Sequence, residues 1–160
     1  MYLENSKTII VKIGSSLIID DKKIIRKKWL LEFAKDIKSL RKKNKNIIIV
    51  SSGAIALGCK KLNIAKKKLK IDQSQAVASV GQIELMNLFK EVFAIQKINI
   101  SQILLTLEDT EIRRRAINAK RTIENLFNLN FIPIVNENDT IATSEIKYGD
   151  NDRLASRVAQ

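Results

Sequence analysis

Two β-branched runs that each end in a glycine-containing loop constrain the fold more than any other feature of this sequence. Residues 9–13 (Ile-Ile-Val-Lys-Ile) run into Gly-Ser-Ser at 14–16, and residues 47–50 (Ile-Ile-Ile-Val) run into Ser-Ser-Gly at 51–53. Short apolar runs bounded by such loops are typical of buried strands. Between them, residues 30–40 carry apolar side chains at helical spacing, so the chain begins strand, helix, strand.

The rest of the chain continues this alternation. In chain order we predict a helix at 54–62, a helix at about 74–92, a strand at 100–106, a helix at 109–127 and a strand at 131–135. Asp109 and Thr110 can cap the last helix. Pro133 weakens the prediction of the last strand, because proline donates no ladder hydrogen bond and favours edges. Strands that alternate with helices imply crossover connections, so we predict an α/β fold with a mostly parallel sheet layered between helices.

The composition limits the available chemistry. The 160 residues contain no histidine and a single cysteine, Cys59, which excludes a histidine base, imidazole zinc ligands and an internal disulfide. We expect Cys59 to be a buried, inert thiol. No segment reaches the ~20 apolar residues of a membrane span, and the first dozen residues lack the hydrophobic region of a signal peptide. We therefore expect a cytoplasmic protein without a membrane partner.

The formal net charge of +12 has several explanations. A biased genome composition accounts for it without any function, whereas nucleic acid, anionic lipid or a small anionic substrate would each use it. Only 5% of the residues are aromatic, and no recognition helix or stacking platform is evident, so we expect no nucleic-acid partner. Six lysines fall within residues 60–70, where they form either a solvated surface or a patch that steers an anionic substrate.

Both glycine loops follow predicted strands, and ligands of parallel sheets bind at the carboxyl ends of the strands. Gly14 and Gly53 would let the backbone approach an anion, or would simply make turns. Lys12 lies in an apolar strand just before Gly14, where its ammonium could hold phosphate oxygens as a point charge. The alternative is that Lys12 is an edge lysine or a snorkelling lysine. Neither of the two standard phosphate-binding glycine motifs is present.

Two polar clusters lie in the last quarter of the chain. Asn-Glu-Asn-Asp at 136–139 follows the fourth strand, and Gly-Asp-Asn-Asp at 149–152 follows an extended stretch predicted around 143–148. Carboxylates and carboxamides at this density suit a site that binds a ligand with both an ammonium and a carboxylate. They could also orient lysines or bind a metal–phosphate complex. Turns rich in Asn and Asp are the alternative.

In combination these motifs resemble the glutamate 5-kinase family of the amino acid kinase superfamily. The stretches that carry the resemblance, in the order and spacing of the family, are residues 11–16, 49–56, 75–82, 102–107, 133–139 and 145–152. The most specific are Pro-Ile-Val-Asn-Glu-Asn-Asp at 133–139 and Glu-Ile-Lys-Tyr-Gly-Asp-Asn-Asp at 145–152. The resemblance implies an amino acid kinase-like fold.

The resemblance also implies an activity, the ATP-dependent phosphorylation of the γ-carboxylate of L-glutamate, with Mg²⁺, as the first step of proline synthesis. By this resemblance Lys12 and Gly14 contact the phosphates of ATP, Ser52, Asp139 and Asn151 bind glutamate, and Asp152 organises the active-site lysines. It assigns no protein ligand to a metal. It further implies a homo-oligomer that proline inhibits by feedback.

The residue inventory agrees with this chemistry. A glutamate carboxylate has an ordinary pKa of about 4.3, so it is ionised at neutral pH and needs no general base to become a nucleophile. Members of the family continue into a nucleotide-binding half. We therefore expect residues 1–160 to be a truncated chain that forms a single N-terminal, glutamate-binding part of the domain, without the nucleotide-binding half. Whether such a chain is a kinase completed by another chain or an inactive glutamate-binding remnant stays open at this point.

Overall fold

A parallel four-stranded sheet organises the computed structural model, which describes residues 2–65, 69–141 and 150–159, without the side chains of residues 2, 3 and 150. Its strands are β1 (Thr8–Ile13), β2 (Asn46–Ser51), β3 (Asn99–Leu105) and β4 (Phe131–Glu137). The helices are α1 (Tyr2–Asn5), α2 (Ser15–Ile18), α3 (Lys27–Lys42), α4 (Ala54–Lys61), α5 (Ile71–Ile95), α6 (Leu107–Glu111), α7 (Arg113–Asn128) and α8 (Asp150–Ala159). Every predicted strand and helix within these ranges is present with bounds that move by a few residues, except that the helix predicted at 109–127 is divided in two at Ile112.

The strands lie in the order β1-β2-β4-β3, and every neighbouring pair is parallel. On β2, Ile47 and Ile49 pack with α3 and α5, while Ile48 and Val50 pack with α7 and α8. Successive side chains of a strand point to opposite faces, so helices cover both faces of the sheet. The predicted layered α/β architecture is confirmed. No helix in the described ranges has the length and apolar character needed to cross a membrane.

β1 is an edge strand, and the prediction that residues 9–13 form a buried strand is wrong for most of its length. Only Ile13 is buried, whereas Lys12 is exposed and the three residues before it are half-buried. The reason is the strand order, because within the described ranges β1 has a hydrogen-bonded neighbour on one side only, at β2.

The strand predicted at 131–135 is present despite Pro133, and it does not lie at an edge. Pro133 lies in β4, which is central between β2 and β3. The paired register of β2 with β4 begins directly after the proline, at Ile49 and Ile134, while β3 pairs with β4 along its whole length. Each backbone N–H of a strand points to one neighbour only, so a proline removes one bond from one ladder and leaves the other intact.

The cap predicted at Asp109 and Thr110 belongs to a different helix. Thr106 is the N-cap of the short helix α6, and its hydroxyl accepts a hydrogen bond of 3.2 Å from the Asp109 N–H. The Asp109 carboxylate in turn accepts from the Thr106 N–H at 2.8 Å, which completes a reciprocal capping box. Ile112 then adopts an extended conformation, so the long helix α7 starts afresh at Arg113.

Two glycines set the contact between α4 and α5. A Cβ built on Gly81 would lie 1.7 Å from the carbonyl oxygen of Ala54, and one on Gly58 would lie 2.1 Å from that of Val77. No side chain fits at either distance, so the two helices pack backbone against backbone. This contact holds the first turn of α4, directly after the loop at Gly53, at a fixed height against the middle of α5.

Candidate active site

Three of the predicted site residues lie at the carboxyl ends of three adjacent strands. Lys12 is the next-to-last residue of β1, Ser52 directly follows β2, and Asp139 lies two residues beyond the end of β4. Because β1, β2 and β4 are parallel neighbours, their carboxyl ends share one edge of the sheet. That edge is where open parallel sheets bind their ligands.

The helix α8 brings Asn151 and Asp152 to the same region. It packs against β1, β2 and β4, and Leu154 is its fully buried anchor. The Nζ of Lys12 lies 2.8 Å from Oδ1 of Asp152, and the two side chains are 32% and 60% exposed. The Lys12 ammonium is therefore directed at a carboxylate, and its side chain is partly exposed on the edge strand β1.

The loops after β1 and β2 adjoin each other. The Ser52 N–H donates a 3.0 Å hydrogen bond to the carbonyl oxygen of Ile13. A Cβ built on Gly53 would lie 3.8 Å from Ser15, and one on Gly14 would lie 3.7 Å from Nζ of Lys12. The backbone at Gly14 is thus next to the Lys12 ammonium, with no bulky group between them.

The two loop glycines, Gly14 and Gly53, differ in backbone conformation. Gly53 has a φ of +112°, a left-handed conformation that side chains rarely adopt, so the turn itself explains it. Gly14 has a φ of −73° and a ψ of 154°, which any residue can adopt. Turn formation therefore does not explain Gly14, and an added Cβ would make only ordinary contacts there.

Asn151 has an unusual side chain for a surface helix. Its Oδ1 is buried and has no hydrogen-bond partner among the residues that the structure describes. Buried amide oxygens are normally paired, so this acceptor has an unmet hydrogen-bonding capacity among the described residues. Asp139 is half-buried at the same edge of the sheet.

A buried carboxamide pair was not assigned a role from the sequence. Asn136 is 1% exposed in β4, and its Nδ2 donates a 2.7 Å hydrogen bond to Oε1 of Gln82 on α5. The other polar atom of each side chain, Oδ1 of Asn136 and Nε2 of Gln82, is buried and finds no partner within the described ranges. The sequence did contain a signal, since both residues lie in the stretches that carry the family resemblance.

Several predictions fall partly or wholly outside the described residues. These are the extended stretch at 143–148, Gly149, the side chain of Asp150 and the lysines at 66–68. Lys60 and Lys61 are exposed; Lys60 donates to the carbonyl of Lys23 at 2.7 Å, and Lys61 pairs with Glu84 at 3.0 Å. These contacts fit a solvated surface. Cys59 is buried, as predicted.

Comparison with known proteins identifies the family. The family model described as the amino acid kinase family matches residues 7–160. The chain belongs to the amino acid kinase family. Among solved structures, the carbamate kinase of Giardia covers 96% of this chain and 70% of its own length, with a TM-score of 0.62 at 12% identity. The isopentenyl phosphate kinase of T. acidophilum covers 81% and 54%, with a TM-score of 0.52 at 10% identity. At these identities the two structures confirm the predicted amino acid kinase-like fold.

Curated proteins similar to this chain include glutamate 5-kinases, which confirms the resemblance. The glutamate 5-kinase of Pelagibacter ubique (strain HTCC1062) is 79% identical over 160 residues, which are all of this chain and 44% of that protein. That of Ruegeria sp. (strain TM1040) is 50% identical over 158 residues, which are 98% of this chain and 43% of that protein. The chain of this amino acid kinase family member thus spans less than half the length of these relatives.

Proposed function

We propose that this chain forms the glutamate-binding part of a glutamate 5-kinase, which transfers a phosphoryl group from ATP to the γ-carboxylate of L-glutamate. The observation that carries the proposal is the Lys12–Asp152 ion pair of 2.8 Å beside Gly14, at the carboxyl edge of the sheet. This ion pair brings together the first and the last of the stretches that carry the family resemblance, residues 11–16 and 145–152. The names and the high identity of the curated relatives support the same activity.

Lys12 is the residue that would neutralise phosphate charge. Phosphoryl transfer depends mainly on positioning and on charge neutralisation of the transferred group. Asp152 accepts from the Lys12 ammonium and so orients it beside Gly14, where a Cβ would lie 3.7 Å from its Nζ. No general base is required of the protein, because the attacking carboxylate is ionised at neutral pH.

The residues present fit the phosphate end of ATP. Lys12 offers an ammonium, and Gly14 places no side chain of its own beside it. ATP, as its Mg²⁺ complex, would supply the transferable phosphoryl group. Among the described residues no group of three His, Cys, Asp or Glu side chains could hold a metal ion. Such an ion would be held largely by the phosphates themselves, as Mg²⁺ commonly is in kinases.

Ser52, Asp139 and Asn151 are the proposed glutamate contacts. Asp139 is the carboxylate among them, and it suits the ammonium group of the amino acid. The unpaired Oδ1 of Asn151 is a second acceptor, while the Ser52 hydroxyl can donate to a carboxylate. A ring-closed amino acid such as proline resembles glutamate closely enough to compete there, so we propose feedback inhibition by proline at this site.

The remaining proposals follow from the same function. A biosynthetic kinase that uses ATP and free glutamate would work in the cytoplasm. The exposed apolar side chains Ile83 and Ile95 on α5 offer contact surface for a homo-oligomer. Residues 1–160 would form one part of the kinase domain, and the adenine and ribose contacts would lie in a nucleotide-binding half outside these residues. The relatives, which are more than twice as long, leave room for that half.

A coupled ADP-release assay on the purified 160-residue chain with L-glutamate and Mg-ATP tests this proposal, together with calorimetric titration of L-glutamate. We expect glutamate to bind and turnover to be absent or very slow. The reason is that residues 1–160 would contact the phosphates of ATP on one side only. Rapid turnover that is lost in Lys12→Ala would contradict the division of the site between two halves. Failure to bind glutamate would contradict the proposed substrate.

A further inference from the structure

The helix α8 carries Asn151 on the face by which it packs onto the sheet. Side chains three and four positions apart on a helix share one face, and that face of α8 consists of Asn151, Leu154, Ala155 and Val158. Leu154 is fully buried and the other three are half-buried. The position of α8 on the sheet therefore decides where the Asn151 carboxamide lies.

The two sides of α8 are supported differently. On one side α8 packs against β1, where Asp152 pairs with Lys12 at 2.8 Å. On the other side a groove of about 590 Å³ lies between α8 and α7, with Val158 on one wall and Ile123 and Phe127 on the other. The short helix α6 lies at this groove and contacts both α7 and α8. It thus supports α8 on the side that faces away from β1.

The contact between α6 and α8 has an apolar and an ionic part. Leu107, the first residue of α6, is half-buried and packs against the apolar cluster that contains Leu154. Further along, Nη2 of Arg157 lies 3.4 Å from Oε1 of Glu111. Both side chains of that ion pair are exposed, so its contribution is small and the apolar part dominates.

Hydrogen bonds from side chains brace α6, which with five residues is too short to be stable by its own backbone bonds. The capping box of Thr106 and Asp109 closes its start, and Oδ1 of Asp109 also accepts from Arg115 of α7 at 3.0 Å. The Thr110 hydroxyl donates to the carbonyl oxygen of Leu107 at 2.6 Å. These bonds fix the backbone from which the Leu107 side chain extends.

We propose that Leu107 is a positioning residue for substrate binding, which holds α8 where Asn151 can contact the amino acid. This inference rests on the proposed function, and it gives a share of the substrate affinity to a side chain that does not touch the substrate. Contacts to a ligand require their groups to be placed within about 0.5 Å. Removal of the Leu107 side chain leaves a space into which α8 can shift, so it weakens binding through Asn151.

Calorimetric titration of L-glutamate into the purified 160-residue chain tests the inference. We expect Leu107→Ala to weaken binding about three- to thirtyfold, the range for changes that act through packed neighbours. In a chain that already carries Asn151→Ala, the same change should alter the affinity by less than about twofold, because the residue through which Leu107 acts is gone. Leu107→Met, which keeps the volume, should bind as the wild type does.

The matched control is Leu126→Ala. Leu126 is also half-buried and packs against the same cluster, but it belongs to α7, which carries none of the proposed glutamate contacts. This variant should lower the midpoint of thermal unfolding and keep the glutamate affinity within about twofold of the wild type. Thermal unfolding also shows whether each variant is folded at the temperature of the titration. If Leu107→Ala is not folded, Leu107→Val serves instead and should weaken binding about threefold.

The outcomes separate this inference from the proposed function. A wild-type chain that fails to bind L-glutamate would overturn the proposed function and this inference with it. A wild-type chain that binds, together with a folded Leu107 variant of full affinity, would overturn this inference alone. An equal loss in Leu126→Ala, or a Leu107 effect that persists without Asn151, would overturn it as well. A loss confined to the shortened Leu107 variants and absent in the Asn151→Ala chain would support it, because a merely structural role would not depend on Asn151.

Discussion

Lys12 and Asp152 form a 2.8 Å ion pair that joins the edge strand β1 to the helix α8. The pair connects two segments near opposite ends of the sequence. Its carboxylate is 60% exposed, and ion pairs so open to solvent contribute between nothing and about 1 kcal/mol to stability. The pair therefore contributes little to stability. An ammonium oriented at the carboxyl edge of a parallel sheet is instead placed where it could contact an anionic ligand.

The first prediction concerns this pair. Lys12→Met and Asp152→Asn should each change the free energy of unfolding by less than about 1 kcal/mol, because the charges are well solvated. A double-mutant cycle measured by urea denaturation should give a coupling of about 0.2–1 kcal/mol. A coupling above about 2 kcal/mol would show that the pair is a structural element.

The second prediction concerns glutamate binding. Asp139→Ala and Asn151→Ala should each weaken the binding of L-glutamate roughly 10- to 100-fold, because each removes a hydrogen bond to a charged group of the ligand. Calorimetry measures this directly. Asp36→Ala and Asn118→Ala, which change exposed residues of α3 and α7, are the matched controls and should bind as the wild type does. Equal binding by Asp139→Ala and the wild type would remove Asp139 from the site.

The third prediction contrasts two glycines. In Gly81→Ala the new Cβ would overlap the carbonyl of Ala54, so we expect a loss of at least about 3 kcal/mol or a chain that does not fold. Gly14→Ala should cost less than about 1 kcal/mol, because Gly14 has an ordinary φ and its nearest neighbour would be 3.7 Å away. Thermal and urea unfolding compare the two. A strongly destabilised Gly14→Ala would mean that the loop is more tightly packed than its backbone indicates.

The fourth prediction is a pH dependence at Asp109. The hydrogen bond from the backbone N–H of Thr106 lowers the pKa of Asp109 below its usual value, burial opposes this, and the Thr106 hydroxyl and Arg115 add to the lowering. A lowered pKa in the folded state means that the carboxylate stabilises the protein above the ordinary pKa of about 3.9, and that this contribution is lost as the pH falls through the folded value.

Asp109→Ala should therefore cost about 1 kcal/mol at neutral pH, as the loss of a helix cap does, and progressively less below about pH 4. Urea unfolding across this range measures the difference between variant and wild type. Asp36→Ala, which changes an exposed carboxylate on α3, controls for general acid effects. A cost that stays constant down to about pH 2 would show that the lost contacts do not depend on the charge.

Local sequence patterns determined most of the secondary structure and much of the site. The β-branched runs and the helical periodicity act over a few neighbouring residues, so the strands and helices could be placed from the sequence to within a few positions. Lys12, Ser52 and Asp139 could be predicted to share an edge because each stands at the end of a strand, and the carboxyl ends of parallel strands coincide.

Only the tertiary structure decided which strands are neighbours and what reaches the site from elsewhere. The order β1-β2-β4-β3 makes β1 an edge and puts Pro133 in the centre, and no local pattern specifies that order because it depends on pairing between distant segments. The same holds for the meeting of Gln82 with Asn136, which requires α5 to be fixed by its backbone contact with α4. Periodicity tells which face of a helix is apolar, but not which polar side chain on it will meet another 54 positions away.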